Sequence, residues 1–236
     1  MTQLGIEVIL MPTLEWLKKE YYYGYNSGNV LSRLPGLTRL KEEMKIGGSY
    51  RNVFFRAIVP YIKPDSVILE LGPGKGSWTR AMLEYIPNGA LHAVDFQDVR
   101  PWLKPERYSG RLICHRVNDN SFSGLPDNQF DFFWSFGVLC HNNIDNIRLI
   151  LRNALPKMKS GGMAAHMYGD WEKLTAYGWK RGGVPIDFQN RLDDEIWWPR
   201  NSKKMMSSAA TEAGWKVIES DLNLVKRDSI ILLKKQ

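Results

Sequence analysis

Short apolar runs alternate with helical stretches along most of this chain. Residues 67–71 form a branched apolar run of strand length, and residues 90–94 form a second, ended by Asp95. Residues 111–117, 131–136 and 163–167 read as three more strands, the last opened by Ser160-Gly161-Gly162. Residues 215–221 and 229–234 complete seven. Between them lie helical patterns. Val53, Phe54, Ala57, Ile58 and Tyr61 share one face over 51–61, and the pattern stops between Pro60 and Pro64. Ile144, Ile147, Ile150, Leu151, Ala154, Leu155 and Met158 share another over 143–158, with Pro156 ending or kinking the last turn. A further helix spans 202–213. Strands alternating with helices predict an α/β fold around a mainly parallel sheet.

Two segments depart from the alternation. Residues 1–50 precede the first strand unit, and Leu14, Trp16, Leu17, Tyr21 and Tyr22 could share a helical face there. Residues 170–201 carry Trp171, Trp179, Trp197 and Trp198 around a Gly182-Gly183-Val184-Pro185 turn. An insertion at that point would cover the carboxyl edge of the sheet. The expected organisation is one domain over 1–236: an N-terminal helical cap (1–50), a core (51–169), an aromatic lid (170–201) and a final helix with strands (202–236).

At 236 residues, with 44% hydrophobic and 24% charged positions, the chain can bury one sizeable core. No apolar run approaches the ~20 residues that span a bilayer. The run at Val8-Ile9-Leu10-Met11 lacks a preceding basic segment and is too short for a secretory signal, so a cytoplasmic protein is expected. The two cysteines, Cys114 and Cys140, read as free buried thiols, and no zinc pattern is present. The net charge of +7 is spread in short groups such as Lys18-Lys19, Lys203-Lys204 and Lys234-Lys235, the pattern of a solvated surface. No nucleic-acid-binding module is visible, although such a surface could attract an anionic acceptor.

The densest chemistry follows the first strand. Glu70 is followed by Gly72-Pro73-Gly74-Lys75-Gly76, then Ser77 and Thr79, either of which could cap the next helix. Such a strand, turn and helix form a crevice at the carboxyl end of a parallel sheet. The dinucleotide fingerprint wants a third glycine where Ser77 stands. Glu70 would repel a pyrophosphate but suits a cationic amino group. Asp95, at the end of the second strand, can accept both hydroxyls of an adenosine ribose.

The segments ELGPGKGSWT (70–79), HAVDF (92–96), RVNDN (116–120), FDFFWSFGVLCHN (130–142) and LRNALPKMKSGGM (151–163) occur in order at the usual intervals. Over roughly residues 50–170 the chain resembles the class I S-adenosylmethionine-dependent methyltransferases of small-molecule type. The resemblance implies a Rossmann-like, doubly wound seven-stranded sheet with an antiparallel last strand. It implies S-adenosyl-L-methionine as donor and S-adenosyl-L-homocysteine as product. Glu70, Gly72, Gly74 and Gly76 would hold the methionine end, Asp95 the ribose, Phe96 and Phe136 the adenosyl flank, and Asn118 or Asp119 the adenine amino group.

For catalysis the resemblance points to His141, a few residues after the fourth strand, as a base or as a residue that shapes the pocket. Asp170, at the end of the fifth strand, is the alternative acid/base group. Tyr22, Trp171, Trp197 and Trp198 are candidate acceptor contacts. No metal is expected, because Ser135-Phe136-Gly137 carries no carboxylates where metal-assisted relatives gather them. The same stretch lacks the Pro-Pro-aromatic pattern of amide and base N-methylating members, the Cys-Pro pair of cytosine-methylating ones and the glutamate pair of arginine-methylating ones. A small-molecule acceptor remains, most simply a hydroxyl in specialised-metabolite tailoring. The alternatives are a nucleic-acid or protein methyltransferase and a non-catalytic donor-binding protein. The oligomeric state is left open.

Overall fold

A computed structural model describes residues 27–236. The helical face read at residues 14–22, with the acceptor contact expected of Tyr22, lies outside the described residues. Helices α1 (Leu37–Ile46) and α2 (Tyr50–Ala57) lead into the sheet. Ser49 caps α2 by accepting the Asn52 amide, and the helix buries Tyr50, Val53, Phe54 and Ala57 along one stripe. There follow β1 (Val67–Leu71), α3 (Ser77–Tyr85), β2 (Ala90–Asp95), α4 (Arg100–Leu103), β3 (Leu112–Arg116) and β4 (Phe130–Ser135). The remaining elements are α5 (Ile144–Ala154), β5 (Met158–Gly169), α6 (Trp171–Tyr177), α7 (Trp179–Gly182), α8 (Lys203–Glu212), β6 (Trp215–Glu219) and β7 (Asp228–Lys235).

The seven strands form one sheet in the order β3-β2-β1-β4-β5-β7-β6. β7 is antiparallel to both β5 and β6, and the pairs among β1 to β5 are parallel. Both faces are covered, which is why the strands read as continuous apolar runs. Ile68, Phe132, Trp134, Ile230 and Leu232 pack on one side with α2 and α3. Leu69, Phe133, Ile231 and Leu233 pack on the other with α5 and α8. Strand order reverses between β1 and β4, so the loops after these strands diverge and open a crevice at their carboxyl ends.

Most boundaries fall within two residues of the sequence pattern. β5 is longer than expected because Met158 already pairs with Phe130, and residues 159–162 bulge out before pairing resumes at Met163. α5 stops at Ala154, and Pro156 sits in a following 3-10 turn, Leu155–Lys157. The short α4 and the turn Pro105–Tyr108 gave no periodic signal, since four residues complete barely one turn. No helix among the described residues is long and apolar enough to cross a membrane.

Candidate active site

The loop between β1 and α3 builds one wall of the crevice. Gly72, Gly74 and Gly76 have φ of 67°, 55° and 81°. Gly76 also has no room for a side chain: a Cβ there would lie 2.4 Å from Leu103 Cδ2. The expectation that Ser77 or Thr79 caps α3 fails, because Gly76 occupies the cap position and no side chain bonds to the first turn. The amides of that turn, which no helix can satisfy internally, therefore meet the crevice uncapped. Ser77 Oγ is buried there without a hydrogen-bond partner among the described residues. Thr79 Oγ1 instead donates to Glu70 Oε2 at 2.6 Å.

Glu70 is 1% exposed, at the end of β1 behind this loop. Burial pushes its carboxyl up to about 8, against the opposing pull of the Thr79 hydroxyl. Asp95 ends β2 and accepts the Gln97 amide at 2.9 Å through Oδ1, and Phe96 follows half-buried. Asn118 and Asp119 are exposed on the loop after β3, where Asp119 accepts the Ser121 amide. These groups leave the sheet at one level: Leu71 lies in register with Val94 and with Ser135, and Asp95 with Arg116. β3, β2, β1 and β4 are neighbours, so their loops form one continuous shelf.

The other wall is aromatic. A cavity of about 110 Å³ is lined by Gly72, Gly74, Ser77 and Phe136 on one side and by Tyr50, His141, Trp197, Trp198 and Arg227 on the other. Phe136 packs against Trp78 at 4.8 Å and Tyr50 at 5.2 Å between ring centroids. His141 ends a 3-10 turn after β4, with its ring 5.9 Å from Trp197 and 5.3 Å from Trp198. Its Nδ1 lies 2.8 Å from the Trp197 carbonyl. A carbonyl only accepts, so Nδ1 carries the proton, and the neutral ring keeps a lone pair on Nε2. Burial pulls the imidazole down to about 4, with the Arg227 charge adding to the effect, so it stays neutral at physiological pH.

The remaining candidates lie behind the walls. Asp170 caps α6: Oδ1 accepts the Glu172 and Lys173 amides, and Oδ2 accepts the Ser229 hydroxyl at 2.7 Å. Those bonds give the carboxylate a structural task rather than the acid/base role considered for it. Trp171 supports Trp198 from behind by donating to its backbone carbonyl at 3.2 Å. His92 and His115 bond to each other across β2 and β3, and His166 pairs with Ser135. Cys140 lines the cavity, but burial raises its thiol well above the ordinary value. No group of three or more His, Cys, Asp or Glu able to hold a metal occurs among the described residues.

Sequence reasoning missed Arg227 and Tyr50. Arg227 is nine-tenths buried, bonds Asp228 at 2.9 Å and the Gly182 carbonyl at 2.8 Å, and lies 4.6 Å from the centre of the Trp198 ring. Its only sequence signal was a Lys226-Arg227-Asp228 triplet just before an apolar strand. Tyr50 stood at the edge of a helical pattern and carried no motif.

Residues 68–162 match a family model described as a methyltransferase domain. With the seven-stranded sheet and its antiparallel β7, this match gives the chain the fold of the class I S-adenosylmethionine-dependent methyltransferases. A geranyl diphosphate C-methyltransferase from Streptomyces coelicolor A3(2), solved with Mg2+, geranyl diphosphate and S-adenosyl-L-homocysteine, aligns with a TM-score of 0.64 at 12% identity, covering 95% of this chain and 99% of that one. A SAM-dependent methyltransferase from Aquifex aeolicus aligns with a TM-score of 0.59 at 14% identity, covering 84% and 96%. A mitochondrial rRNA methyltransferase 2 from Caenorhabditis elegans is 37% identical over 41 residues, 17% of this chain and 19% of that protein. The aligned segment thus spans about a fifth of that curated relative. The fold serves carbon acceptors in the Streptomyces enzyme, so it does not by itself select oxygen.

Proposed function

We propose that this protein transfers a methyl group from S-adenosylmethionine to a small-molecule acceptor, and that the acceptor atom is a hydroxyl oxygen. The observation that carries the reading is the cavity itself, which sets an uncapped helix start and the unpartnered Ser77 hydroxyl opposite a neutral histidine held among tryptophans. When bound, S-adenosylmethionine supplies an electrophilic methyl on a positively charged sulfur.

The chain's residues fit such a donor. The amides at the start of α3 and Ser77 Oγ suit its carboxylate, Glu70 its ammonium and Asp95 its ribose, with Phe96 and either Asn118 or Asp119 on the adenine side. Phe136, Trp197 and Trp198 keep water out of the cavity and hold the acceptor in line. Such orientation is worth about 7–11 kcal/mol of barrier in favourable cases. His141 Nε2 would take the acceptor's hydroxyl proton while the sulfur–methyl bond breaks and the oxygen–methyl bond forms, with the sulfur leaving as the neutral thioether of S-adenosylhomocysteine. The segment 170–201 acts as a lid, since Gly182, Gly183, Trp197 and Trp198 all face the cavity.

The test combines calorimetric titration of S-adenosylhomocysteine with incubation of the protein, isotopically labelled S-adenosylmethionine and a metabolite extract, followed by mass analysis. Binding together with an O-methylated small molecule is expected. Binding without any product would support a donor-binding protein without catalysis. Label confined to ribonuclease-sensitive material would support a nucleic-acid enzyme. Absence of S-adenosylhomocysteine binding would overturn the donor assignment.

A further inference from the structure

A second cavity adjoins the first and is open to solvent, with a volume of about 830 Å³. It is lined by Lys41, Glu42, Met44, Lys45, Tyr177, Arg181 and Lys226, with small residues between them. Four cationic side chains against one carboxylate leave an excess of three positive charges. The two cavities are neighbours that share part of their lining. Glu42 and Lys45 line both, and Arg181 and Lys226 of the groove are followed directly by Gly182 and Arg227 of the active-site wall.

The groove is built from elements fixed to one another. The end of α1 turns at Gly47, where φ is 66° and a Cβ would lie 2.8 Å from both Lys226 Cβ and the Tyr177 ring. The Ile46 carbonyl accepts the amides of Lys226 and Arg227, and the Tyr177 hydroxyl donates to the Met44 carbonyl at 2.6 Å. The Glu43 carbonyl accepts from Gly47 and Gly48. Three of the last four carbonyls of α1 are therefore engaged, which removes much of the negative helix-end potential that would oppose an anion. The Arg181 guanidinium lies 4.5 Å from the centre of the Tyr177 ring, which orients it while its edge stays in water. Lys45 pairs with Glu42 at 3.0 Å, so Lys41, Arg181 and Lys226 carry the surplus charge.

We propose that this groove anchors a phosphate or diphosphate group carried by the methyl acceptor, and that the acceptor is a phosphorylated small molecule whose uncharged part enters the aromatic cavity. The inference rests on the methyltransferase reading above and names its substrate class. A single carboxylate would leave the groove's positive charge unbalanced, whereas a multiply charged phosphate matches it. Buried Arg227, at the junction of the two cavities, would set the depth to which the charged end can pass.

Inorganic pyrophosphate is the probe. The full chain should bind it in calorimetric titration at low ionic strength, less tightly as salt is added. The double substitution Arg181→Glu/Lys226→Glu should weaken that binding by about tenfold or more, a summed effect of two exposed charge contacts. The pair Arg181→Lys/Lys226→Arg should retain it. Affinity for S-adenosylhomocysteine should be equal in all three proteins, which also reports folding. In the labelled-extract assay, prior phosphatase treatment should abolish small-molecule methylation. Failure of the wild type to bind pyrophosphate, equal binding by the charge-reversed variant, or a phosphatase-resistant acceptor would each overturn the proposal. Label in ribonuclease-sensitive material would overturn it in favour of RNA. If pyrophosphate binds but S-adenosylhomocysteine does not, the donor reading has failed and the acceptor assignment falls with it.

Discussion

Titrating the unliganded protein with S-adenosylhomocysteine at pH 7 should release a proton, and Glu70 should be its source. Burial holds the Glu70 carboxyl at about 8. About nine-tenths of the molecules therefore carry the proton at pH 7. An ammonium about 4 Å away, at an effective dielectric constant of about 20, contributes about 4 kcal/mol in favour of the ionised form. That energy corresponds to about three pKa units and brings the carboxyl to about 5 in the complex. The site thus changes from mostly protonated to mostly ionised on binding, and affinity rises with pH between roughly 5 and 8 while the ligand's own amine stays charged. Calorimetry at pH 7 in two buffers of different ionisation enthalpy counts the proton, with about 0.9 released by the wild type and none by Glu70→Gln. Zero exchange by the wild type, or undiminished release by the variant, would refute the placement of the amino group beside Glu70. The unliganded protein provides a control. Between pH 4.5 and 8 the folded state holds a proton that the unfolded chain has lost, so stability falls as pH rises across that window, and Glu70→Gln removes this slope.

Gly76→Ala forces a side chain into φ of 81° and against Leu103, so it should cost about 1–2 kcal/mol in denaturant melts and abolish S-adenosylhomocysteine binding. His141→Ala should lower kcat by about a hundredfold or more while leaving donor affinity intact. Because burial lowers the His141 imidazole to about 4, the acid limb of the wild-type pH–rate profile should lie near that value rather than at 6.5, and it should vanish in the variant. Asp170→Ala should lose about 1–2 kcal/mol of stability with its helix cap, whereas Asp170→Asn should retain turnover, as measured by thermal melts and by the labelled-donor assay.

The wall of the crevice proposed for the donor was legible because it is local. Gly72, Gly74 and Gly76 lie within five residues, and Glu70 and Asp95 end adjacent parallel strands, so a linear pattern carries their geometry. The helical stripe over 144–158 and the strands fared equally well, since burial on both faces imposes runs a reader can see. The aromatic wall proposed for the acceptor was not legible in this way. His141 meets Trp197 across 56 residues, and Tyr177 meets Met44 across 133, through contacts that no spacing encodes. Asp170 misled for a related reason: a carboxylate at a strand end can serve a reaction or cap the next helix, and the choice depends on Ser229, 59 residues away. Arg227 was obscured because an arginine before a strand is ordinary until its neighbours prove to be tryptophan and a buried aspartate.

β7 lies between β5 and β6 although it comes last of the three in the chain. During synthesis β6 emerges with no ladder to join, and the flank of β5 that β7 will cover stays bare until residues 228–235 leave the ribosome. Nascent molecules therefore pass through a stage with two sticky ribbons and an unclosed seam, a hazard for intermolecular pairing. A nonsense change before residue 228 would trap every molecule at that stage, so shortened products should be found with chaperones and in inclusion bodies rather than as weakened enzymes.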